Sequence, residues 1–388
     1  MVGGEFWTVA GASRRNLARL HPDGTLDASF ATEASASVRT LALQPDGRIL
    51  VAGGFAQLAG EPRFTIGRLN PDGSLDQDFD PAPDQAVTTL VVHPDGRILV
   101  AGYFTSIAGQ PAERIARLHA DGTLDTSFSA SANSGILSFG LQTDGRVLVT
   151  GVFNTLDGFA LSSLGRLNPD GSLDLSFRPS SDWFYAVSAI QSDGSILLGA
   201  ESWAGTGYLP PAGFGRLDNT DPATQSLEYD GSTITWLRGG TSPEVWRVTF
   251  EHSVDGVEWT MLDTPARIPG GWALPDVSLP ATGTLRALGY VTSGRYNASH
   301  WFVETRLSLP RTTAPGIRMD DRSPWFTEEG FGFDVTGTPG TMVVVEMSVD
   351  LQEWAELQTL TLGAEPYAVN DPDAGLSGQR FYRIRQIP

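Results

Sequence analysis

The sequence of 388 residues is long enough for about two to four domains, and a hydrophobic content of 40% supplies their cores. Its 45 acidic residues against 26 basic ones give a net charge of −19, which excludes nucleic acid and anionic lipid as partners by repulsion. Every basic residue is an arginine and no residue is a cysteine, so lysine Schiff bases, disulfides, thiolate nucleophiles and cysteine-bound metals are excluded too.

Residues 1–20 lack the basic-then-apolar order of a signal peptide, and no apolar run reaches the length of a membrane span. From there to about residue 217 the chain repeats itself. The phrase RLxPDGxLDxSF begins at Arg19, Arg68, Arg117 (with Ala120 replacing the proline) and Arg166, and its aspartates Asp23, Asp72, Asp121 and Asp170 are spaced 49 residues apart. A second phrase, of the type LALQPDGRILVAGGF, interleaves with it at Leu41–Phe55, Leu90–Phe104 and Gly140–Phe153, and more weakly at 189–200.

Each phrase reads as a hairpin, because alternating apolar residues flank a Pro-Asp-Gly turn whose glycine takes the left-handed position. A loop at Pro45–Gly47 sets Leu43 opposite Ile49 and Leu41 opposite Val51, and the same count sets Arg68 opposite Asp76. Arg19 then faces Asp27, Arg117 faces Asp125 and Arg166 faces Asp174. Four short strands per period of 49 residues predict an all-β protein that opens with a β-propeller-like array of about four to five blades.

Both phrases, in this order and spacing, resemble the bacterial delta-60 repeat over roughly residues 1–217, and that resemblance implies a propeller in a large secreted protein. A partial copy of the second phrase at Val2–Phe6 lacks its preceding strand. Either the strand near 186–191 closes the ring onto it, or the array continues upstream in a longer protein. Truncation is the expectation, since it also accounts for the missing signal peptide.

After Asp218 the period stops, and Asn219 to Pro222 reads as a linker. A new phrase then appears twice, FEHSVDGVEWTML at Phe250–Leu262 and VEMSVDLQEWAEL at Val345–Leu357, with Trp259 and Trp354 95 residues apart. Alternating flanks predict two tandem antiparallel β-sandwiches, at 219–310 and 311–388, after an array at 1–218. They resemble the Ig-like and fibronectin-type-III-like modules of Verrucomicrobia-type surface proteins, which implies an extracellular or cell-surface location.

Among candidate sites, Asn70, Asp72 and Asp76 have the spacing of a calcium loop, although a bulged turn with Asp76 held by Arg68 uses the same residues. The calcium reading predicts that a chelator lowers the melting temperature. His21, His93 and His119 flank turns, and His252 and His300 lie far along the chain, with no zinc-protease spacing and no nucleophile elbow. All five are read as ordinary turn or surface residues. Acidic pairs such as Asp78 with Asp80 and Asp320 with Asp321 are too abundant to mark a glycosidase. The sequon Asn297-Ala-Ser299 is assigned no role. Of Trp246, Trp259, Trp272, Trp301, Trp325 and Trp354, most are expected in sandwich cores, above all Trp259 and Trp354, with sugar stacking as the alternative.

The reading that follows is a non-enzymatic binding or scaffold protein without a cofactor, taking a protein or carbohydrate partner on loops such as 56–62, 105–112 and 154–162. A polysaccharide hydrolase or lyase with carboxylates at the propeller mouth is the competitor, and calcium-dependent adhesion the third. The cross-strand ion pairs are expected to contribute only about 0.2–1 kcal/mol each, and a blade phenylalanine such as Phe79 about 3–5 kcal/mol.

Overall fold

A computed structural model describes residues 1–179, 185–200, 213–219, 221–280, 282–309, 315–318, 324–327, 330–363, 365–374 and 379–387. They form two compact units, one of Met1–Phe250, Asp263–Val277 and Ala287–Thr305, the other of Glu251–Leu262, Ser278–Arg286 and Arg306–Pro388. Among the described residues the regular structure is one 3-10 turn and otherwise β-strand, and the pairings within the repeats are antiparallel.

In the first unit each repeat builds a three-stranded sheet. The first full one pairs Val38–Leu43 with Ile49–Gly53, and that strand with Ile66–Leu69. Its register is the one expected, with Leu41 opposite Val51 and Leu43 opposite Ile49. Gly47 has φ 83 and donates its N–H to the Gln44 carbonyl at 2.9 Å, which closes the bulged turn. The same sheet recurs with inner strands Val87–Val92, Ile136–Leu141 and Tyr185–Ile190.

The fourth strand of each blade shrinks to a single bridge, such as Leu69 to Leu75. Its shortness has a local cause. The Asp76 side chain accepts from the Asp78 backbone N–H, and Phe79 N–H reaches the Asp76 carbonyl at 3.4 Å, so the chain curls away one residue after the bridge. The expected blade topology therefore holds with a reduced outer strand.

Two-residue hairpins join the second and third strands, for example Gln57–Leu58 with Glu61–Pro62, in the segments expected to be loops. Both central residues of each are left-handed, as at Ala59 (φ 55) and Gly60 (φ 81), which is the turn that suits strand twist. Gly102, at the end of the second strand, is fixed by space: a Cβ there would lie 2.0 Å from the Ala86 carbonyl oxygen, where the inner strand bulges.

Val2–Gly3 pairs with Leu17–Ala18, the counterparts in the repeat of the second and third blade strands. Tyr185–Ile190 pairs with Ile196–Ala200. The two segments considered for ring closure are thus each paired within their own sheets.

The same unit holds the sheet of Ala223–Tyr229, Ile234–Gly240, Gly271–Leu274 and Ala266–Ile268. Trp236 is fully buried there and packs where a Cβ on Gly289 would lie 2.8 Å from its ring. Strands Arg247–Ser253, Gly283–Ser293 and Ser299–Leu309 form the accompanying sheet with Thr260–Met261. In the second unit, Phe333, Val335 and Val369 of one sheet pack against Val343, Val345 and Leu360 of another.

The duplicated phrase is duplicated in structure. Ser253 and Asp255 form the same hydrogen-bonded turn as Ser348 and Asp350. Trp259 and Trp354 are not core residues, contrary to expectation. Both are half-buried, with the Arg286 guanidinium 3.8 Å from the Trp259 ring and that of Arg383 4.1 Å from the Trp354 ring. Each arginine also pairs with a glutamate, Arg286 with Glu251 and Arg383 with Glu346, so the repeated unit is a surface Glu–Arg–Trp stack.

Candidate functional site

Arg68 Nε donates to Asp76 at 2.8 Å, and both side chains are buried. The guanidinium carbon lies 4.4 Å from the Phe79 ring centroid, and Nη1 donates to the Ala120 carbonyl in the turn of the next blade. Arg19 reaches the Pro71 carbonyl at 2.6 Å and Arg117 the Pro169 carbonyl at 2.6 Å. Arg166 ends the series on the Asn219 side chain at 2.7 Å. A second arginine, from the hairpin turn, faces three of the aspartates: Arg48 lies 3.6 Å from Asp76, Arg97 3.3 Å from Asp125 and Arg146 3.6 Å from Asp174. The pair read from the sequence as a modest cross-strand contact is a buried clamp between successive blades.

The candidate calcium ligands are committed to this scaffold. Asp72 accepts from the backbone and hydroxyl of Ser74 at 2.9 and 2.7 Å, Asn70 donates to Ser74 at 3.0 Å, and Asp76 belongs to the clamp. Hydrogen bonds from the Ser74 hydroxyl and backbone hold the Asp72 carboxyl below its usual range. Asp80 lies 3.6 Å from Arg63, and Asp78 lends its N–H to Asp76. Asp320 and Asp321 lie outside the described residues. Among the described residues no three His, Asp or Glu side chains are gathered to hold a metal ion, and no helix is long and apolar enough to cross a membrane.

The rim hairpins are pinned by one residue per repeat. Ser35 accepts from the N–H groups of Ala56 and Gln57, Asp84 from those of Thr105 and Ser106, and Asn133 from those of Asn154 and Thr155. The Thr105 hydroxyl, then the Ser106 and Thr105 amides, pull the Asp84 carboxyl down to about 2. On these fixed hairpins the outward residues differ from copy to copy: Trp7, Ala56, Thr105 and Asn154 share one position, and Ala12, Glu61, Gln110 and Phe159 another. Trp7 is 69% exposed, Phe64 48% and Phe159 42%.

The inner strands carry a feature that sequence reasoning missed. The 3-10 turn Arg295–Asn297 packs against all four of them. Asn297, fully buried, accepts from the Thr89 hydroxyl at 2.7 Å and the Phe139 N–H at 2.8 Å, and donates to the Phe139 carbonyl at 2.7 Å. Its side chain thus continues the backbone pairing of an inner strand. The sequon amide is consumed inside the fold. Asn297 (φ 53) and its neighbour Tyr296 (φ 61) are both left-handed, a conformation that no pattern in the sequence announced.

Beside this turn lies a cavity of about 610 Å3, walled by the ends of the inner strands and by Trp246 and Trp272. Glu244 is the one carboxylate on its wall among the described residues, and it pairs with Arg267 at 2.8 Å. The two carboxylates that glycoside hydrolysis requires are not assembled there. A neighbouring cavity of about 440 Å3 is bounded by Arg39, Thr40, Trp246 and His300 among others, with no carboxylate in its wall among the described residues.

His93 is not a turn-surface residue as expected. Its imidazole lines the larger cavity, and burial pushes its pKa down to about 4, opposed by Asp95 and aided by Arg117 and Arg97. The folded state therefore favours the neutral ring. Stability from this site is complete above the ordinary histidine range near 6.5 and is lost as pH falls through about 4. The other repeats carry Gln44, Gln142 and Gln191 at this position. His93→Gln should therefore reduce the drop in melting temperature between pH 7 and pH 4.5, where the depressed carboxylates do not yet titrate. An identical drop in both proteins would remove His93 from the account.

Residues 1–30, 44–79, 93–128 and 142–177 match the family described as a domain of unknown function (DUF5122) beta-propeller. No curated protein matches the sequence. The chain also aligns with a solved structure described as a tetra-tandem repeat in the extending region of a large adhesion protein, at 13% identity, with a TM-score of 0.17, covering 86% of this chain and 88% of that one. Each of the four matched stretches contains one arginine–aspartate clamp, and the N-terminal array is accordingly an array of β-propeller repeats.

Proposed function

We propose that the chain is a non-enzymatic binding and scaffold protein of the extracellular or cell-surface kind, with the propeller rim as its contact surface. The observation that carries this reading is the contrast along the rim. Residues that hold the hairpins play the same part in each repeat, and the residues those hairpins present to solvent change in every copy. Binding faces of repeat proteins vary in this way over a constant frame. The arginines and aspartates that repeat are spent on joining blades, which supports a frame over a catalytic array. The segments at 219–310 and 311–388 would serve as Ig-like or fibronectin-type-III-like spacers, and the partner would be a protein or a carbohydrate.

The test is retention of the full chain on surfaces coated separately with collagen, fibronectin, xylan and alginate, beside a Trp7→Ala, Phe64→Ala, Phe159→Ala triple variant. These side chains are substantially exposed, so the melting temperature should stay within a few degrees of the parent. Retention on at least one surface should fall about tenfold or more, as expected for loss of aromatic anchors. Equal retention of parent and variant would sink the rim reading.

A further inference from the structure

We infer that the 610 Å3 cavity beside the Asn297 turn is a binding site for a single-chain fatty carboxylate, with its tail inside and its head at Arg247. The volume falls within the roughly 300–1,000 Å3 of small-molecule sites. All four repeats contribute to the wall from one equivalent position, the last residue of each inner strand: Leu43, Val92, Leu141 and Ile190. Trp246 and Trp272 also stand in it. Apolar surface is left open there, since Leu43 is 48% exposed and Trp246 37%, and Val92 and Trp272 are only half-buried. An alkyl chain laid against such a wall takes apolar surface of both partners out of water.

Charge at the wall decides the head group. Arg267 pairs with Glu244 at 2.8 Å, and burial pushes the His93 pKa down to about 4, which leaves that ring neutral at pH 7. Arg247 is the remaining charge. It is exposed, its guanidinium lies 4.2 Å from the Tyr290 ring and 5.8 Å from the Trp246 ring, and among the described residues no carboxylate pairs with it. An apolar space with one unpaired, solvent-facing guanidinium is complementary to a monoanionic head on an apolar tail, because the carboxylate gains paired N–H donors while keeping contact with water. A cationic head would be repelled, and a neutral one would gain no ion pair. The net charge of −19 opposes a whole anionic membrane surface, but in salt near 0.15 M its field is screened within about 8 Å, so a single carboxylate at the cavity responds chiefly to Arg247.

The experiment is isothermal titration of the full chain with octanoate, decanoate and dodecanoate below their micellar concentrations, beside 1-decanol and decyltrimethylammonium. Decanoate should bind one molecule per chain, and affinity should rise with chain length by up to about fourfold per methylene. Decanol should bind about tenfold more weakly, and decyltrimethylammonium more weakly still. Arg247→Gln should remove the preference for decanoate over decanol, and Arg247→Lys should keep most of it. Leu43→Asn, at an exposed position, should weaken both ligands severalfold with little change in melting temperature. The Trp7, Phe64, Phe159 triple variant should bind decanoate as the parent does, which separates this site from the rim. The inference is overturned if decanoate does not saturate at one per chain, if decanol or decyltrimethylammonium binds as tightly as decanoate, or if Arg247→Gln leaves decanoate affinity unchanged.

Discussion

Asp76→Ala is expected to destabilise the repeat array by about 3–5 kcal/mol, as much as Phe79→Ala, in urea titration of the full chain. The two residues belong to one assembly. Asp76 stands between Arg68, at 2.8 Å, and Arg48, at 3.6 Å, and Arg68 lies over the Phe79 ring while bonding the turn of the next blade. Removing the carboxylate leaves a buried guanidinium held by one carbonyl and an aromatic face, and an unpaired buried charge is costly. Removing the ring opens a cavity under the same guanidinium. A loss below about 1 kcal/mol for Asp76→Ala would return the pair to the class of surface ion pairs. Replacing both partners, as Arg68→Met with Asp76→Leu, should recover part of the loss, because no unpaired charge is then left inside.

Acid should loosen the Arg117–Asp125 clamp late. At Asp125, burial pushes the carboxyl up, but hydrogen bonds from Ser127 and Arg117 outweigh it and hold the group well below its ordinary range. A depressed carboxyl contributes stability that is complete above its unfolded value and lost only as pH falls through the folded one.

The second large effect is expected at the 3-10 turn. Asn297→Ala should cost about 2–4 kcal/mol, since it strips partners from the Phe139 N–H and carbonyl, leaves the Thr89 hydroxyl without its acceptor, and places alanine at φ 53. Trypsin should then cut after Arg295 well before the array unfolds. Asn297→Asp should be at least as damaging, because the carboxylate still accepts from Thr89 and Phe139 but cannot donate to the Phe139 carbonyl, and it buries a charge. Unchanged proteolysis in Asn297→Ala would show that packing of the turn, and not the asparagine amide, holds it in place.

These two sites divide what could be read from the sequence and what could not. The blade hairpins were legible because alternation and a Pro-Asp-Gly turn are local, and together they fix register: Leu41 had to face Val51 and Arg68 had to face Asp76. Spacing at a constant period then fixed the array. Burial of the clamp was not legible, since the Ala120 carbonyl that covers Arg68 lies 52 residues away and arrives only when blades stack. The same limit hid the Trp259 stack, where Arg286 supplies the cover, and the Asn297 turn, whose partner Phe139 lies 158 residues upstream. Sequence determined the repeating frame through short-range sterics and alternation. Only tertiary structure decided which charges are buried and which hairpin residues stay exposed, because each of those depends on solvent being displaced by residues from another repeat or another sheet.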